Sequence, residues 1–174
     1  MASLFSRLQG TRKPALRLLG ALLACAFLGM GSKPAITVRF HTEANERDTD
    51  KFSQPVTFRH PPRQAFISRI AAIHEKQIKA IYPFQASDGT WGCAFQLDVQ
   101  GRLALEVIST QQRGSTVVVF VATKAGTHQA AEMLIDKPIL DGIVSIPNGL
   151  TELEIGALTK AFPVIGQKKK GKLF

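Results

Sequence analysis

The sequence has only two cysteines and four histidines, and it lacks the short motifs that mark many enzyme active sites. If Cys25 lies in a leader, it cannot form a disulfide framework with Cys93. The histidines are scattered without the paired spacing of a zinc site: His41, His60, His74 and His128. No nucleophile-elbow, phosphate-loop, paired-cysteine or His-Glu-x-x-His motif is present. The sequence therefore predicts no metal and no cofactor, and it identifies no reaction.

Cys93 alternates with Trp91, Phe95 and Leu97, a pattern that predicts a small residue within the core. Free cysteine is among the residue types that are most often buried. A cysteine paired with a histidine can act as a nucleophile, but the apolar neighbours favour an inert thiol. We therefore predict no catalytic residue.

The net charge of +9 is concentrated near the two ends of the chain. Eight of the 22 basic residues lie there: Arg7, Arg12, Lys13, Arg17, Lys168, Lys169, Lys170 and Lys172. The remaining 14 basic residues are nearly balanced by 13 acidic ones, so the body of the chain is close to neutral. A nucleic-acid-binding face needs basic residues that cluster within the fold. We therefore predict no nucleic-acid partner.

Residues 1–31 have the composition of a signal peptide or an N-terminal membrane anchor. Residues 1–17 are polar and basic, and Leu18 to Gly31 is an unbroken apolar stretch. A spanning helix needs roughly 20 apolar residues, whereas a basic segment before a shorter apolar one is typical of a secretory signal. We therefore expect the rest of the chain outside the cytoplasm.

The end of this leader has three interpretations. The segment from Leu22 to Cys25 resembles a bacterial lipobox, in which Cys25 would carry the lipid. Residues 24–26 and 29–31 also fit the small-residue pattern of a cleavage site. The third alternative is an uncleaved anchor. The body would then be a lipoprotein, a periplasmic or secreted protein, or a membrane-anchored one.

Residues 32–74 are predicted to form a β-rich N-terminal portion. Ile36 to Phe40 alternates apolar and polar residues, as a half-buried strand does. Further strands are predicted at Val56–Phe58 and Phe66–Ile73. The acidic stretch from Thr42 to Lys51 lacks the glycine and the spaced ligands of a calcium loop, so a solvated loop is favoured.

Residues 75–163 carry the patterns of a small α+β domain. The runs Ile78–Phe84 and Trp91–Asp98 flank an Asp-Gly pair and predict a hairpin. The segment His128–Lys137 fits either a helical turn or a strand. A helix is predicted at Arg102–Gln112, with four residues facing inward: Leu103, Val107, Ile108 and Thr110.

The centre of this domain is predicted to be the strand Thr116–Ala122. Its residues are almost wholly apolar and β-branched, which favours a strand covered on both faces. Gly142–Ile146 predicts a second, shorter strand. The turn residues Pro147-Asn148-Gly149 are predicted to end that strand.

A second helix is predicted directly after this turn. Thr151 can accept hydrogen bonds from the first free backbone N–H groups, and Glu154 can reach back to it, as in a capping box. Leu150 and Ile155 are spaced for a hydrophobic staple. We predict that Pro163 ends the helix and that one face points inward: Ile155, Leu158, Ala161 and Phe162.

These patterns together predict an α+β fold, in which a small mixed or antiparallel sheet carries two helices on one face. The β-rich portion precedes it. Residues 164–174 lose all periodicity, which predicts a disordered basic tail. Clustered lysines near an anionic lipid surface gain roughly 1 kcal/mol each, so four residues are candidate membrane contacts: Lys168, Lys169, Lys170 and Lys172.

Residues about 75 to 163 resemble the extracytoplasmic head, the first periplasmic domain, of SecD-type protein-export subunits. The shared motifs are Glu75–Ala80, Leu97–Gly101, Leu105, Ser109-Thr110, the strand at 116–122, Pro138-Ile139, Asp141-Gly142, Ile146 and Gly149-Leu150-Thr151. The family's membrane helices are absent here, and the glycine that usually follows its last helix stands only at Gly166. The resemblance implies the fold and a contact with polypeptide, and it does not imply transport.

The predicted function is a non-enzymatic module outside the cytoplasm that binds protein or peptide or supports an envelope complex. An exposed sheet edge would make the contact by strand addition. Two alternatives stay open: a hydrolase-like enzyme with a site assembled only by folding, and a binder of anionic surfaces through the Lys-rich tail. A concave pocket with converging polar groups would favour the enzyme.

Overall fold

The computed structural model describes residues 36–47 and 51–166. Within them the chain forms β1 (Ile36–Ala44), β2 (Ser53–Arg59), β3 (Pro62–Ser68), β4 (Ile73–His74), β5 (Ile78–Gln85), β6 (Trp91–Leu97), β7 (Thr116–Thr123), β8 (Gly126–Leu134) and β9 (Ile143–Leu150). The α-helices are α1 (Val99–Gln111) and α2 (Glu152–Ala161), and a short 3-10 helix covers Glu75–Gln77. The predicted leader with Cys25 and the four tail lysines lie outside the described residues.

The strands form two antiparallel sheets. The larger sheet has the order β2-β3-β1-β7-β8, with β4 also paired to β1, and the smaller sheet has the order β5-β6-β9. Each α-helix contacts strands of both sheets. The fold is therefore β-rich, and the predicted single sheet with two helices on one face is wrong in its layout.

β1 and β7 pair along nearly the whole length of β1, from Ile36 opposite Thr123 to Thr42 opposite Val117. β7 lies between β1 and β8, which satisfies its backbone groups on both sides. Its valines are buried on both faces of the sheet. The predicted strand covered on both faces is therefore confirmed.

The main core lies between the two sheets. Phe40 of β1 and Phe95 of β6 are both almost fully buried, and their ring centroids lie 5.9 Å apart in an edge-to-face arrangement. Such aromatic pairs contribute about 0.5–1.5 kcal/mol beyond the burial of their surface. This contact joins a strand of the larger sheet to the central strand of the smaller one.

The hairpin of β2 and β3 packs against the other face of β7. Phe58, Ala65 and Ile67 form a second buried cluster with Val118 of β7. The carboxylate of Glu132 accepts hydrogen bonds from the backbone N–H groups of Arg59 and His60 at the hairpin turn. The hairpin therefore reaches from β1 to β8 across the sheet.

The predicted N-terminal strands differ from the observed ones in their bounds. β1 continues to Ala44, so it takes in the start of the predicted acidic loop. Glu43 there pairs with Arg63 at 2.8 Å and accepts from the N–H of Thr116. The predicted strand Phe66–Ile73 is wrong as one element, because β3 runs from Pro62 to Ser68 and the chain pairs with β1 again only at β4, Ile73–His74.

The prediction for the inward face of α1 is confirmed at Ile108 and wrong at its other three residues. The helix starts at Val99, where the side chain of Asp98 accepts from the N–H of Gly101. Gly101 packs closely against Gln77 and Leu97, and this approach fixes which face points inward. Leu105 and Ile108 are therefore buried, as are Gly101 and Ser109, whereas three predicted core residues are exposed: Leu103, Val107 and Thr110.

The start of α2 is as predicted. Thr151 caps the helix, its side chain accepts from the N–H of Glu154, and Glu154 bonds back to the N–H of Thr151. Ile155 and Leu158 are buried. Ala161 is exposed, contrary to prediction, because the helix ends there and the following residue adopts an extended backbone.

The predicted turn at Pro147–Gly149 is wrong, because β9 continues through it to Leu150. Cys93 pairs with Ile146 and Trp91 pairs with Leu150, so extra residues of β9 form an irregular bulge. Gly149 takes the positive φ that the bulge requires, and its N–H donates to the hydroxyl of Thr90. The ambiguous segment at 128–137 supplies most of β8, which is a strand.

The described part of the predicted tail is ordered by β5. The N–H of Ile81 donates to the carbonyl of Pro163, and its carbonyl accepts from the N–H of Ile165. Val164 thereby forms a parallel bridge with Ile81. The prediction of a tail without structure from residue 164 onward is therefore wrong for residues 164–166.

Two glycine substitutions should have opposite effects on stability. A methyl group at Gly92 would lie about 2.5 Å from the carbonyl oxygen of Pro147, so Gly92→Ala should lower the free energy of unfolding by about 1–3 kcal/mol. Gly156 in α2 has open space, so Gly156→Ala should raise it by about 0.5–1 kcal/mol. Urea denaturation measures both. Equal effects of the two substitutions would contradict the packing of β9 on β6.

Candidate functional site

An apolar cleft of about 180 Å³ lies between the two sheets beside α1. Its lining is mostly aliphatic and includes Leu105, Ile108, Met133, Ile135, Ile139 and Val144. Leu134 at the end of β8 and Ile143 at the start of β9 also line the cleft, and they are 66% and 41% exposed. These two residues therefore mark the mouth of the cleft.

The polar residues of the cleft are hydroxyl-bearing: Thr42, Ser109 and Ser145. Ser109 is fully buried, and its hydroxyl donates to the carbonyl of Glu106 and accepts from the N–H of Ile139. None of the described lining residues has an ionisable side chain. The cleft is therefore suited to an apolar group and holds no general acid or base.

The outer edge of β9 lies next to this cleft. The N–H of Leu97 donates to the carbonyl of Gly142. Because the backbone groups of an antiparallel strand alternate in direction, the N–H and C=O groups of Val144 and Ile146 also point toward β6. The backbone groups of Ile143 and Ser145 point the other way. The N–H of Ile143 is bonded to the side chain of Asp141. The N–H of Ser145 has no partner among residues 36–47 and 51–166.

Two of the other edge strands, β5 and β2, have several of their outward backbone positions blocked. On β5, the backbone of Ile81 is bonded to residues 163 and 165, and Pro83 supplies no N–H at the next outward position. On β2, Pro55 is at an outward position, and the outward N–H of Arg59 is held by Glu132. Proline on β9 comes only at Pro147, after Ser145.

A second, polar groove of about 440 Å³ lies on the outer face of the larger sheet. It is lined by the outward side chains of β1 and β7 and by residues beside the hairpin: Thr37, Arg39, His41, Gln54, Arg69, Phe120, Ala122 and Thr127. The lining includes two guanidinium groups and no carboxylate. Sequence reasoning missed this groove, because Arg39 showed only as the polar member of an alternating strand.

His41 forms a buried part of the groove wall. Its Nδ1 lies 2.8 Å from the carbonyl oxygen of Ser68, and its ring meets Phe120 edge to face. Because a carbonyl only accepts, Nδ1 carries the proton. Burial lowers the pKa of His41, and the nearby charge of Arg39 lowers it further, against the opposing effect of the bond to Ser68. The imidazole is therefore neutral at pH 7.

The structure confirms the prediction for Cys93. Its side chain is fully buried in β6, and burial raises the pKa of its thiol to about 12. A protonated, inaccessible thiol is not a nucleophile. Among the described residues, no group of three or more His, Cys, Asp and Glu side chains is placed to hold a metal ion. The predicted site residues Cys25, Lys168, Lys169, Lys170 and Lys172 are outside the described ranges.

Comparison with known proteins adds only weak similarities. No family model matches the sequence, and no curated protein is similar to it. One solved structure with similarity is SecDF, described as a membrane component that enhances protein export, at 13% identity and a TM-score of 0.49; it covers 91% of this chain and 74% of that one. SecDF in a super-membrane-facing form has 11% identity and a TM-score of 0.40, covering 86% of this chain and 33% of that one.

Both structures are of SecDF. TM-scores below 0.5 assign neither a particular domain nor a function to this chain. No helix within the described ranges is both long enough and apolar enough to cross a bilayer.

Protonation of His41 should reduce stability at acidic pH. Its pKa in the folded protein is below the 6.5 of an unperturbed histidine, so the unfolded chain binds more protons between these two values. The stabilisation is therefore complete above pH 6.5 and is lost as the pH falls through the folded pKa. We expect His41→Asn, which keeps a donor for Ser68, to lose less stability than the wild type between pH 7.5 and 5.

Urea denaturation at several pH values measures this difference. His60→Asn, at the exposed hairpin turn, is the matched control and should retain the wild-type slope. The contact of His128 with Glu154 is common to all three proteins and does not distinguish them. Equal slopes for His41→Asn and the wild type would contradict the assignment of a neutral, buried His41.

Proposed function

We propose that the protein is a non-enzymatic binding module that contacts an extended polypeptide segment outside the cytoplasm. The observation that carries this proposal is the N–H of Ser145, which lies beside the apolar cleft and has no partner in the part of the chain that the structure describes. An extended segment could pair with β9 at Ser145 and place one apolar side chain between Leu134 and Ile143. This combination of backbone pairing and a side-chain pocket is the chemistry of strand addition.

The contact offered by β9 is short. Ser145 can form one two-bond pair with an incoming residue, but Asp141 occupies the preceding outward N–H and Pro147 lacks the following one. Each hydrogen bond contributes about 0.5–1.5 kcal/mol, and burial of one aliphatic side chain contributes about 1.5–3 kcal/mol. Because ordering the segment costs part of this, we expect weak and reversible binding, at Kd values above about 10 μM.

The chemistry of the cleft supports the proposal of a non-enzymatic role. Its lining supplies hydroxyl groups that are bonded within the fold or exposed, and no ionisable group among the described residues. The thiol of Cys93 is buried and protonated. The extracytoplasmic location rests on the signal-like composition of residues 1–31, and the partner is proposed to be a protein or peptide of the cell envelope.

Blocking the edge of β9 tests this function. The probe is a soluble nine-residue peptide in which three valines alternate with threonines between terminal lysines. Ser145→Pro removes the outward N–H at an exposed edge position of the kind that Pro147 already occupies. We expect it to weaken binding of the fluorescent peptide at least tenfold, as measured by anisotropy.

The matched control is Ser145→Thr, which keeps the N–H and suits a strand. It should bind within about twofold of the wild type, and circular dichroism should show that both variants are folded. Equal binding by the proline and threonine variants would exclude strand addition at β9.

A further inference from the structure

The polar groove on the outer face of the larger sheet contains arginines without close acidic partners. Arg63, outside the groove, pairs with Glu43 at 2.8 Å and stacks on Phe58. In contrast, Arg39 reaches only 3.9 Å from the carboxylate of Glu75. Arg69 makes no ion pair within the described residues; its Nε donates to the neutral carbonyl of Ser53. The charge of Arg69 therefore has no acidic partner among the described residues, and that of Arg39 has only the long contact with Glu75.

The arrangement of these groups suits an oxyanion. The bond from Arg69 to Ser53 holds one edge of its guanidinium and leaves the terminal nitrogens available. Guanidinium groups bind carboxylate and phosphate oxygens through two parallel hydrogen bonds. Neutral donors surround the arginines at Thr37, Gln54 and Thr127. A phosphate monoester carries about −1.5 to −2 charges at pH 7, which matches two guanidinium groups better than a single carboxylate does.

The groove also has room for more than a phosphate. Its volume is about 440 Å³, and Phe120 and Ala122 provide an apolar part of its floor. The body of the chain is close to neutral, so this charge is a local property of the groove. It lies on the opposite face of β1 from Phe40, which lines the apolar cleft.

We propose that this groove binds the phosphate group of a phosphomonoester, with Arg39 and Arg69 as its two cationic contacts. The hydroxyl and amide groups of Thr37, Gln54 and Thr127 then contact the remaining oxygens and the attached organic group. The phosphomonoester belongs either to a soluble small molecule or to a lipid headgroup, and these two sources share the same recognition chemistry.

Calorimetric titration of the full chain with glycerol 3-phosphate tests the proposal. We expect saturable binding that weakens at least tenfold in Arg39→Gln and in Arg69→Gln. Lys160→Gln removes an equal charge from exposed α2 and should leave the affinity unchanged within about twofold. Thr127→Val, at the exposed start of β8, removes a hydroxyl group from the groove and leaves the bond of Arg69 to Ser53 intact. It should also weaken binding, and it provides the test if Arg69→Gln does not fold.

A second arm uses vesicles of phosphatidylcholine with and without phosphatidic acid. Because the Lys-rich tail could bind any anionic surface, this arm is repeated with residues 167–174 deleted. Flotation with phosphatidic acid vesicles that depends on Arg39 and Arg69 identifies the headgroup as the source, and binding of glycerol 3-phosphate alone identifies a soluble one. Absence of both, or binding that is unchanged in Arg39→Gln and Arg69→Gln, overturns the proposal.

Discussion

The pairing of β1 with β7 is the constraint on which the rest of the structure depends. It joins segments some 80 residues apart and buries alternate β1 side chains against the smaller sheet. Phe40 meets Phe95 there and also lines the apolar cleft. The intervening residues of β1 face the other way, and Arg39 and His41 line the polar groove. One alternating strand thus supplies residues to the core, the cleft and the groove.

The proposed function depends on which backbone groups at the sheet edges are blocked and which are open. An open edge strand is a template for pairing with another chain, and proteins commonly block such edges with proline or with covering segments. Here Pro55 and Pro83 stand at outward positions of two edge strands, and Pro147 lies in the bulge of a third. The backbone at Ser145 stays open on one of these edges, beside a cleft that can take an apolar side chain. A contact limited to one backbone position and one side chain favours weak, reversible binding of a polypeptide over a permanent complex.

Elements with a strong local signal could be predicted from the sequence. The capping box at Thr151 and Glu154 depends on residues three positions apart, and the hairpin of β5 and β6 depends on its turn. The run of valines in β7 predicted a strand because a continuous β-branched segment suits burial on both faces. In each case the deciding interactions lie within a few residues of one another.

Other features depend on contacts that are distant in the sequence. The inward face of α1 is set by the close approach of Gly101 to Gln77. The continuation of β9 beyond Pro147 is held by bonds from Asn148 and Gly149 to Asp88 and Thr90, about 60 residues earlier. The polar groove exists only because β1 pairing brings Arg39 to the same surface as Arg69. Local patterns could not reveal these sites, and the chain-wide similarity to SecDF is too weak to supply them.

The most direct measurement of the central claim is amide hydrogen exchange along β9 in the free protein, followed by NMR. Val144 and Ile146 donate toward β6, whereas Ser145 points outward beside the cleft. We expect the amide of Ser145 to exchange at least about tenfold faster than its two neighbours and to slow when an extended peptide binds. Protection of Ser145 equal to that of Val144 and Ile146 in the free protein would show that this edge is already covered, and would contradict the central claim.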